Sequence, residues 1–202
     1  TTGGSNTAVG YDALEANTTA SGNTAVGHSA LKANTTGASN VAVGLDALKA
    51  NTTASGNVAV GFEAGKIISD GAANLAIGYR AYDNADSEQH NLAIGYDALG
   101  GAVAGGEYNV AIGNYSLDAN TSGDYSVAIG YEASSSSTTS GGNVCIGYQA
   151  GKSITTGGGH LFIGELAGDN FDTENWNLGI GKNSLGGPIA GGEYNVAIGA
   201  NT

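Results

Sequence analysis

Two acidic loops contain the residue types that metal chemistry would need. Each loop carries three carboxylates within six residues. They are Asp83, Asp86 and Glu88 in the first loop, and Asp169, Asp172 and Glu174 in the second. Oxygen-rich acidic loops suit Ca²⁺. The calcium-binding nonapeptide pattern is absent, and solvated loop acids are commoner. We therefore expect no metal and no other cofactor, with calcium in these loops as the alternative.

The segment Gly147-Tyr-Gln-Ala-Gly-Lys-Ser153 has the composition of a phosphate-binding loop. It has three residues between its glycines where the phosphate-loop motif has four. The same local pattern, Gly-Phe-Glu-Ala-Gly-Lys, occurs at 61–66. Repetition of one structural unit therefore explains the segment, and we predict no nucleotide site.

The three histidines, His28, His90 and His160, have no cysteine or carboxylate at metal-ligand spacing, so we expect solvated or turn histidines. Serines are abundant and lie mostly in turns, so no Ser/His/Asp arrangement can be argued. Cys145 replaces an alanine, and we expect it to be a small buried hydrophobic residue. We predict that the protein is not an enzyme.

All of these residues lie on copies of one short unit. The phrase Asn6-Thr-Ala-Val-Gly10 opens a series of twelve related phrases, spaced by 17 residues except for two steps of 18. We call the opening residue of each phrase position 1. A fixed period of this kind predicts one small unit stacked on copies of itself. Residues 1–202 are therefore expected to form a single repeat domain, and its start and stop in mid-repeat suggest an interior segment of a longer fibrous chain.

Each unit predicts a short strand followed by turns. Position 2 is Thr, Val or Leu, position 3 is nearly always Ala, and position 6 is often aromatic. A short β-branched run bounded by glycine indicates a strand. Positions 8 and 9, as in Ala13-Leu14, Ala47-Leu48 and Ala64-Gly65, predict a second short strand. The fold class is thus all-β, a parallel β-solenoid of about twelve 17-residue coils. With about 4.8 Å between stacked coils, the rod would be roughly 50–60 Å long. Stacked Asn side chains would hydrogen-bond along it.

Two positions of the repeat are the predicted structural sites. Position 4 is always Val or Ile and is expected to form a core and interface ladder, made of Val9, Val26, Val43, Val60, Ile77, Ile94, Ile112, Ile129, Ile146, Ile163, Ile180 and Ile198. Position 5 is always Gly and is expected in a turn, at Gly10, Gly27, Gly44, Gly61, Gly78, Gly95, Gly113, Gly130, Gly147, Gly164, Gly181 and Gly199.

The strand is apolar on both faces, and this property predicts self-association. Side chains alternate between the two faces of a strand. A strand with one face in water should alternate with polar residues, yet the commonest phrase here is Val-Ala-Ile. A thin coil can bury only one face inside itself. The other face needs a partner, for which a copy of the same chain is the simplest candidate. The spacing leaves open which face looks inward.

Charge and hydropathy limit the partners. The net charge is −12 with only six Lys and Arg residues. Nucleic-acid binding needs clustered basic residues, so none is expected. No apolar run is long enough to span a membrane, so this segment is not expected to insert into one. Lys32, Lys49 and Lys66 stand at position 10 of successive coils and would form a column of like charges, which we call the lysine column. Asp46 and Glu63 stand three residues before Lys49 and Lys66 and are expected to offset the repulsion within it.

The phrases Ser126–Gly130, Asn109–Gly113 and Asn195–Gly199, each Ser/Asn-Val-Ala-Ile-Gly, resemble the head repeats of YadA-like trimeric autotransporter adhesins. The variant at 6–19 is similar to repeats of phage tail-fibre-like proteins. The resemblance covers the whole chain, although the 17-residue period is longer than that of the adhesin heads. It implies a left-handed β-roll and a homotrimeric fibre.

By resemblance, the expected function is a structural and adhesive segment of a trimeric extracellular fibre, on a bacterial cell surface or a virion. Host-surface glycan or matrix protein would be the ligand, and exposed aromatic residues such as Trp176 are the contact candidates. The alternative is a passive shaft of a phage tail fibre or filamentous appendage that carries a separate binding tip.

Overall fold

The computed structural model describes residues 2–101, 106–187 and 192–202. It contains twelve strands of three residues each, one in every repeat. Their bounds are β1 Thr7–Val9, β2 Thr24–Val26, β3 Val41–Val43, β4 Val58–Val60, β5 Leu75–Ile77, β6 Leu92–Ile94, β7 Val110–Ile112, β8 Val127–Ile129, β9 Val144–Ile146, β10 Leu161–Ile163, β11 Leu178–Ile180 and β12 Val196–Ile198.

The strands form one parallel sheet in sequence order, from β1 to β12. Each residue pairs with the residue at the same position of the next coil, as Val41 pairs with Val58. The 18-residue steps keep this register, since Leu92 pairs with Val110. The chain is therefore an all-β parallel solenoid of about eleven turns, which confirms the predicted all-β class and parallel solenoid architecture. The described residues contain no helix, and hence none that meets the requirements for crossing the membrane.

The second strand predicted at positions 8 and 9 is wrong. Those residues lie in turns, and position 9 has a left-handed backbone, with φ of 54° at Leu14 and 48° at Leu48. A strand needs φ near −120°, so the backbone cannot remain extended there. The turns still bond along the rod axis, because the Leu48 N–H donates to the Ala64 carbonyl at 3.1 Å.

The interior of the coil is filled by positions 3, 9 and 12, whose sizes compensate for one another. Leu48 at position 9 is buried with Asn51 at position 12. In the next coil, Gly65 takes the place of the leucine and Ile68 takes the place of the asparagine. A methyl group on Gly65 would lie only 3.0 Å from both Ile68 Cδ1 and Leu48 Cδ2. The large side chain can therefore come from either position, but not from both.

The same exchange recurs along the rod. Where position 9 holds a large residue, position 12 holds a polar or small one: Leu14 with Asn17, Leu31 with Asn34, Leu48 with Asn51, Tyr82 with Ala85 and Leu117 with Asn120. Where position 9 is glycine, position 12 holds a large residue: Gly65 with Ile68, Gly151 with Ile154 and Gly168 with Phe171. Buried Phe162 at position 3 needs similar space, since a methyl on Gly179 would lie 3.2 Å from its Cδ1.

Buried asparagines at position 1 bond one coil to the next, as predicted, but the amide oxygens of Asn23 and Asn40 accept from backbone N–H groups and not from stacked amides. The Asn40 backbone N–H donates to Asn23 Oδ1 at 2.8 Å, and Asn57 donates in the same way to Asn40. Each amide nitrogen donates to a carbonyl across its own coil, as Asn57 Nδ2 does to Gly71 at 2.7 Å. Because the amide oxygen accepts from backbone, the ladder satisfies buried N–H groups that would otherwise be costly.

His160 occupies position 1 in place of asparagine, and the expectation that it is solvated is wrong. It is 2% exposed and stacks on Phe162 with ring centroids 4.8 Å apart. Its Nδ1 accepts from the Asn177 N–H at 3.2 Å, so Nε2 carries the proton and donates to the Glu174 carbonyl at 2.9 Å. Burial lowers the pKa of His160, which agrees with this neutral form.

Candidate functional site: the outer face of the sheet

The strand turns its alanine inward and its larger side chains outward. Position 3 is fully buried from Ala25 onward through most of the rod. From β2 to β11, positions 2 and 4 are half-buried, apart from Val60, which is 36% exposed; in the end strands β1 and β12 both positions are exposed. The Val/Ile ladder at position 4 is therefore not part of the single-chain core. Alternation fixes this outcome, because positions 2 and 4 must share the face opposite position 3.

The glycine column at position 5 directly follows each strand, where the chain bends. Its φ lies between +127° and +141° in all twelve copies, a region that residues with a Cβ rarely adopt. A Cβ on Gly61 would overlap the carbonyl oxygen of Gly78 and lie 2.7 Å from its carbonyl carbon. Both the conformation and the close approach of neighbouring coils therefore require glycine.

Aromatic columns border this outer face on both sides. At position 6, the rings of Phe62 and Tyr79 stack at 4.8 Å, and those of Tyr79 and Tyr96 at 5.1 Å with planes only 3° apart. On the other side lies the residue that directly precedes position 1, which we call position 0. There Tyr108 and Tyr125 stack at 5.3 Å. Positions 0, 2, 4 and 6 together form the outer face.

The acidic loops do not form a metal site within the described residues. The Glu88 carboxylate accepts hydrogen bonds from the backbone N–H groups of residues 86 and 87 at 2.9 and 3.1 Å. Glu174 does the same for residues 172 and 173. Asp83 accepts from Arg80 Nε at 2.7 Å. No group of three or more His, Cys, Asp or Glu side chains in the described part of the chain is placed to hold a metal.

The lysine column is neutralised by carboxylates, as predicted. Lys49 Nζ lies 3.0 Å from Asp46 Oδ2, and Lys66 Nζ lies 2.6 Å from Glu63 Oε1. The hydrogen bond to Glu63 raises the pKa of Lys66. The lysine side chains are 42% and 34% exposed, although Asp46 and Glu63 are only 12% and 19% exposed. Solvent screening of the ammonium groups therefore limits each pair to about 1 kcal/mol. The lysine column therefore does not form a cationic surface that could bind polyanions, because each of these ammonium groups already has an acidic neighbour.

The segment that resembles a phosphate loop has a structural role. Gly147 belongs to the position-5 column, and Lys152 Nζ donates to Glu132 Oε2 of the preceding coil at 2.5 Å. Cys145 is fully buried, as predicted, and burial raises the pKa of its thiol to about 12. The Cys145 thiol is therefore shielded from ligands, and the Lys152 ammonium group is already paired with Glu132.

A scan against protein-family models, a search of curated proteins and a search of solved structures each found no match to this chain.

The position-0 column is the part of this face that the sequence analysis missed. Its exposed aromatic residues are Tyr108, Tyr125, Trp176 and Tyr194. A signal was present, because these residues all stand immediately before the repeat phrase. It was weak, since the same position also holds serine, alanine and glycine.

Proposed function

We propose that this chain is a structural and adhesive segment of a homotrimeric extracellular fibre, without catalytic activity. One observation carries the proposal: the outward positions 2 and 4 are apolar along nearly the whole rod and stay partly exposed in a single chain. Solvent-facing sheet surfaces normally carry polar residues. A partner surface of the same kind explains why this one does not.

The size of the outer face supports a stable assembly. Eleven coil spacings of ~4.8 Å give a length of about 50 Å, and the three-residue strand gives a width of about 10 Å. The apolar strip of positions 2 to 4 therefore measures on the order of 500 Å², as large as the ~300–600 Å² of the largest apolar patch on a typical monomer. The bordering aromatic columns extend this strip toward the ~800 Å² that a standard interface takes from each partner.

The resemblance supplies the finer features of the proposal. It suggests three chains, a left-handed coil, and a location on a bacterial cell surface or a virion. Closed cyclic symmetry would cover the apolar face on every chain and leave none for open-ended association. The net charge of −12 keeps such rods soluble and apart from one another.

Sedimentation velocity on the dilute chain tests this proposal. We expect a trimer for the parent, and monomers or unfolded chain for Val60→Lys and Ile94→Lys, because each places a charge within the apolar face. Thr53→Lys is the matched control, since Thr53 is exposed and lies outside positions 0 to 6. A parent that sediments as a folded monomer contradicts the proposal.

A passive shaft is the second candidate, and the position-6 column favours it. Rings that stack on each other, such as Phe62, Tyr79 and Tyr96, cover one another's faces and leave mainly edges for a ligand. Immobilised glycans and matrix proteins separate the two functions. Retention of the chain supports an adhesive segment, whereas no retention at any concentration leaves a shaft that carries its binding tip elsewhere.

A further inference from the structure

One coil of the rod has a polar interior. Numbered from the first repeat phrase, coils 1 to 7 and 9 to 11 each bury a leucine, isoleucine, tyrosine or phenylalanine at position 9 or position 12. Coil 8, residues 126–142, instead has Ser134 and Ser137 there, and it has Ser140 at position 15. These three serines are at most 3% exposed. Coil 8 therefore lacks the large buried apolar side chain that stabilises its neighbours.

The hydrophobic core divides at this coil. Among the described residues, the buried apolar side chains form two clusters, of which the first ends at Ala133 and the second begins at Cys145. Dispersion contacts between buried apolar groups connect the coils within each cluster. The serines of coil 8 lie between the two clusters and interrupt these contacts. The apolar interior is thus continuous on either side of coil 8 but not across it.

The buried hydroxyl groups of coil 8 replace this packing incompletely. Ser137 and Ser140 bond each other through their hydroxyl groups, and Ser140 Oγ also accepts from Asn143 Nδ2 at 3.0 Å. Within the described residues, the Ser134 hydroxyl has no nitrogen or oxygen partner. The Cys145 thiol beside it is only a weak hydrogen-bonding group. A buried hydroxyl without a strong partner destabilises the fold around it.

The asparagine ladder is also weaker at this coil. Coil 8 has Ser126 at position 1, where most coils have asparagine. The Asn143 N–H lies 3.4 Å from Ser126 Oγ, whereas the Ser126 N–H donates to Asn109 Oδ1 at 2.9 Å. Serine has no amide nitrogen with which to make the bond across its own coil that Asn109 makes to the Gly123 carbonyl at 2.8 Å. Coil 8 is therefore less firmly braced than the coils with asparagine at position 1.

The backbone ladder nevertheless continues through coil 8. The Val127 N–H donates to the Asn143 carbonyl at 2.7 Å, and the Ser134 N–H donates to the Ala150 carbonyl at 2.9 Å. Coils 8 and 9 therefore belong to one stack. The weakness lies in the side chains that fill and brace the interior.

We infer that coil 8 is a weak joint at which the rod opens locally while the stacks on either side stay folded. Segments with few buried apolar contacts open at a lower free energy than the rest of a protein. Each coil contacts only its neighbours, so opening of coil 8 leaves one folded stack before residue 126 and another after residue 142. A load along the rod would extend this coil first. The inference concerns the interior of one chain and does not depend on the fibre proposal.

Cys145 reports on the opening of coil 8. It is the only cysteine, it is fully buried, and its strand β9 pairs with strand β8 of coil 8. A thiol reagent such as iodoacetamide therefore reacts with it only when the coils separate. Labelling of the full chain is followed by mass spectrometry at one protein concentration, first without denaturant and then in low urea.

The matched control places the single thiol in another coil. Ala59→Cys, combined with Cys145→Ala, puts it at position 3 of coil 4, where positions 9 and 12 hold Gly65 and Ile68, the same pair of residue types as in the coil of Cys145. Cys145 of the parent should be labelled at least about tenfold faster than this control, because loss of one buried aliphatic side chain shifts a local opening equilibrium by more than that factor. The parent rate should also rise less steeply with urea than global unfolding does, because local opening exposes less surface.

Filling the interior of coil 8 should close the joint. Ser134→Gly with Ser137→Ile would reproduce the Gly65 and Ile68 pair, which likewise follows a coil with leucine and asparagine at positions 9 and 12. Ser134 has φ of 50°, a conformation that glycine adopts readily. Labelling of the thiol should slow at least about tenfold in this double variant. Thr139→Ile, on the exposed side of the same coil, should leave the rate unchanged.

Four results overturn the inference: the parent is labelled no faster than the Ala59→Cys control, the double variant is labelled as fast as the parent, Thr139→Ile slows labelling as much as the double variant, or labelling and global unfolding depend equally on urea. If the double variant does not fold, the comparison of the parent with the control still decides. Sedimentation as a monomer or as a trimer changes none of these expectations, so the joint and the fibre proposal are tested separately.

Discussion

The exchange of core volume between positions 9 and 12 predicts that two mutations, one at each position, have strongly non-additive effects on the free energy of unfolding. Ile68→Asn removes a side chain that is 1% exposed opposite Gly65, and so leaves a cavity. Loss of a buried isoleucine side chain costs about 2–5 kcal/mol of unfolding free energy. Gly65→Leu inserts a side chain where even a methyl group lies 3.0 Å from Ile68, and such overpacking costs about 1–3 kcal/mol.

The double variant should recover most of this loss. Combining Gly65→Leu with Ile68→Asn would reproduce the leucine and asparagine pair of the preceding coil. There Leu48 is buried, and the Asn51 amide donates to Asn34 Oδ1 at 2.8 Å. We expect the double variant within about 1 kcal/mol of the parent, which means a coupling energy of at least about 2 kcal/mol. Independent sites add to within about 0.5 kcal/mol, so the difference is measurable.

Equilibrium urea unfolding of the parent, both single variants and the double variant gives the coupling energy. All four are measured at one protomer concentration, because assembly makes stability depend on concentration. The reverse exchange, Leu48→Gly with Asn51→Ile, is the matched control in the neighbouring coil and should couple in the same way. Additive losses in both pairs would refute the volume-exchange argument.

Three further outcomes are expected. Gly61→Ala should prevent folding or cost more than about 3 kcal/mol, because its Cβ would overlap the next coil and its φ is 140°. Gly56→Ala has open space around it and a φ of 73°, close to the 59° of Ala73 at the same position, so it should cost no more than about 1–2 kcal/mol in urea unfolding. Equal losses for the two variants would contradict this. Asn57→Ala should cost about 2–4 kcal/mol, since two buried ladder bonds lose their partner; a thermal unfolding midpoint unchanged within error would show that the ladder is not stabilising. Burial lowers the pKa of His160 below its ordinary 6.5. The unfolded chain therefore binds the proton first, and the free energy of unfolding should fall as pH drops through about 6.5 and level off below the folded-state pKa. His160→Asn should remove this part of the pH dependence in urea midpoints measured across that range, and an identical profile for both proteins would refute the argument.

The sequence predicted the elements whose signals repeat in every coil. The period, the strand at positions 2 to 4 and the ladder through Asn40 and Asn57 follow from fixed positions of one residue type, because stacking forces like residues into columns. The pairing of Lys66 with Glu63 followed from their spacing of three residues along the chain. In each case a local rule and the stacked geometry agree.

Features that depend on compensation between positions were not predicted. Leu14 at φ of 54° contradicts the usual preference of leucine for negative φ, so an apolar pair at positions 8 and 9 suggested a strand. The large interior side chain stands instead at position 9 or position 12, and this exchange appears only when both columns are compared; the coil of Ser134 and Ser137 has a small residue at both. His160 was misjudged for a related reason, since its value as an acceptor in the ladder depends on the asparagines above and below it.

The register of the stack has a consequence for how such rods change in length. Residues that exchange volume between positions 9 and 12, such as Gly65 and Ile68, lie in the same coil, and each coil joins the next through the same columns of backbone and amide bonds. Unequal recombination between repeats of the coding sequence would therefore add or delete whole coils and keep every column continuous. The reach of the rod would then vary in steps of about 4.8 Å, and selection could adjust length without redesigning the interior.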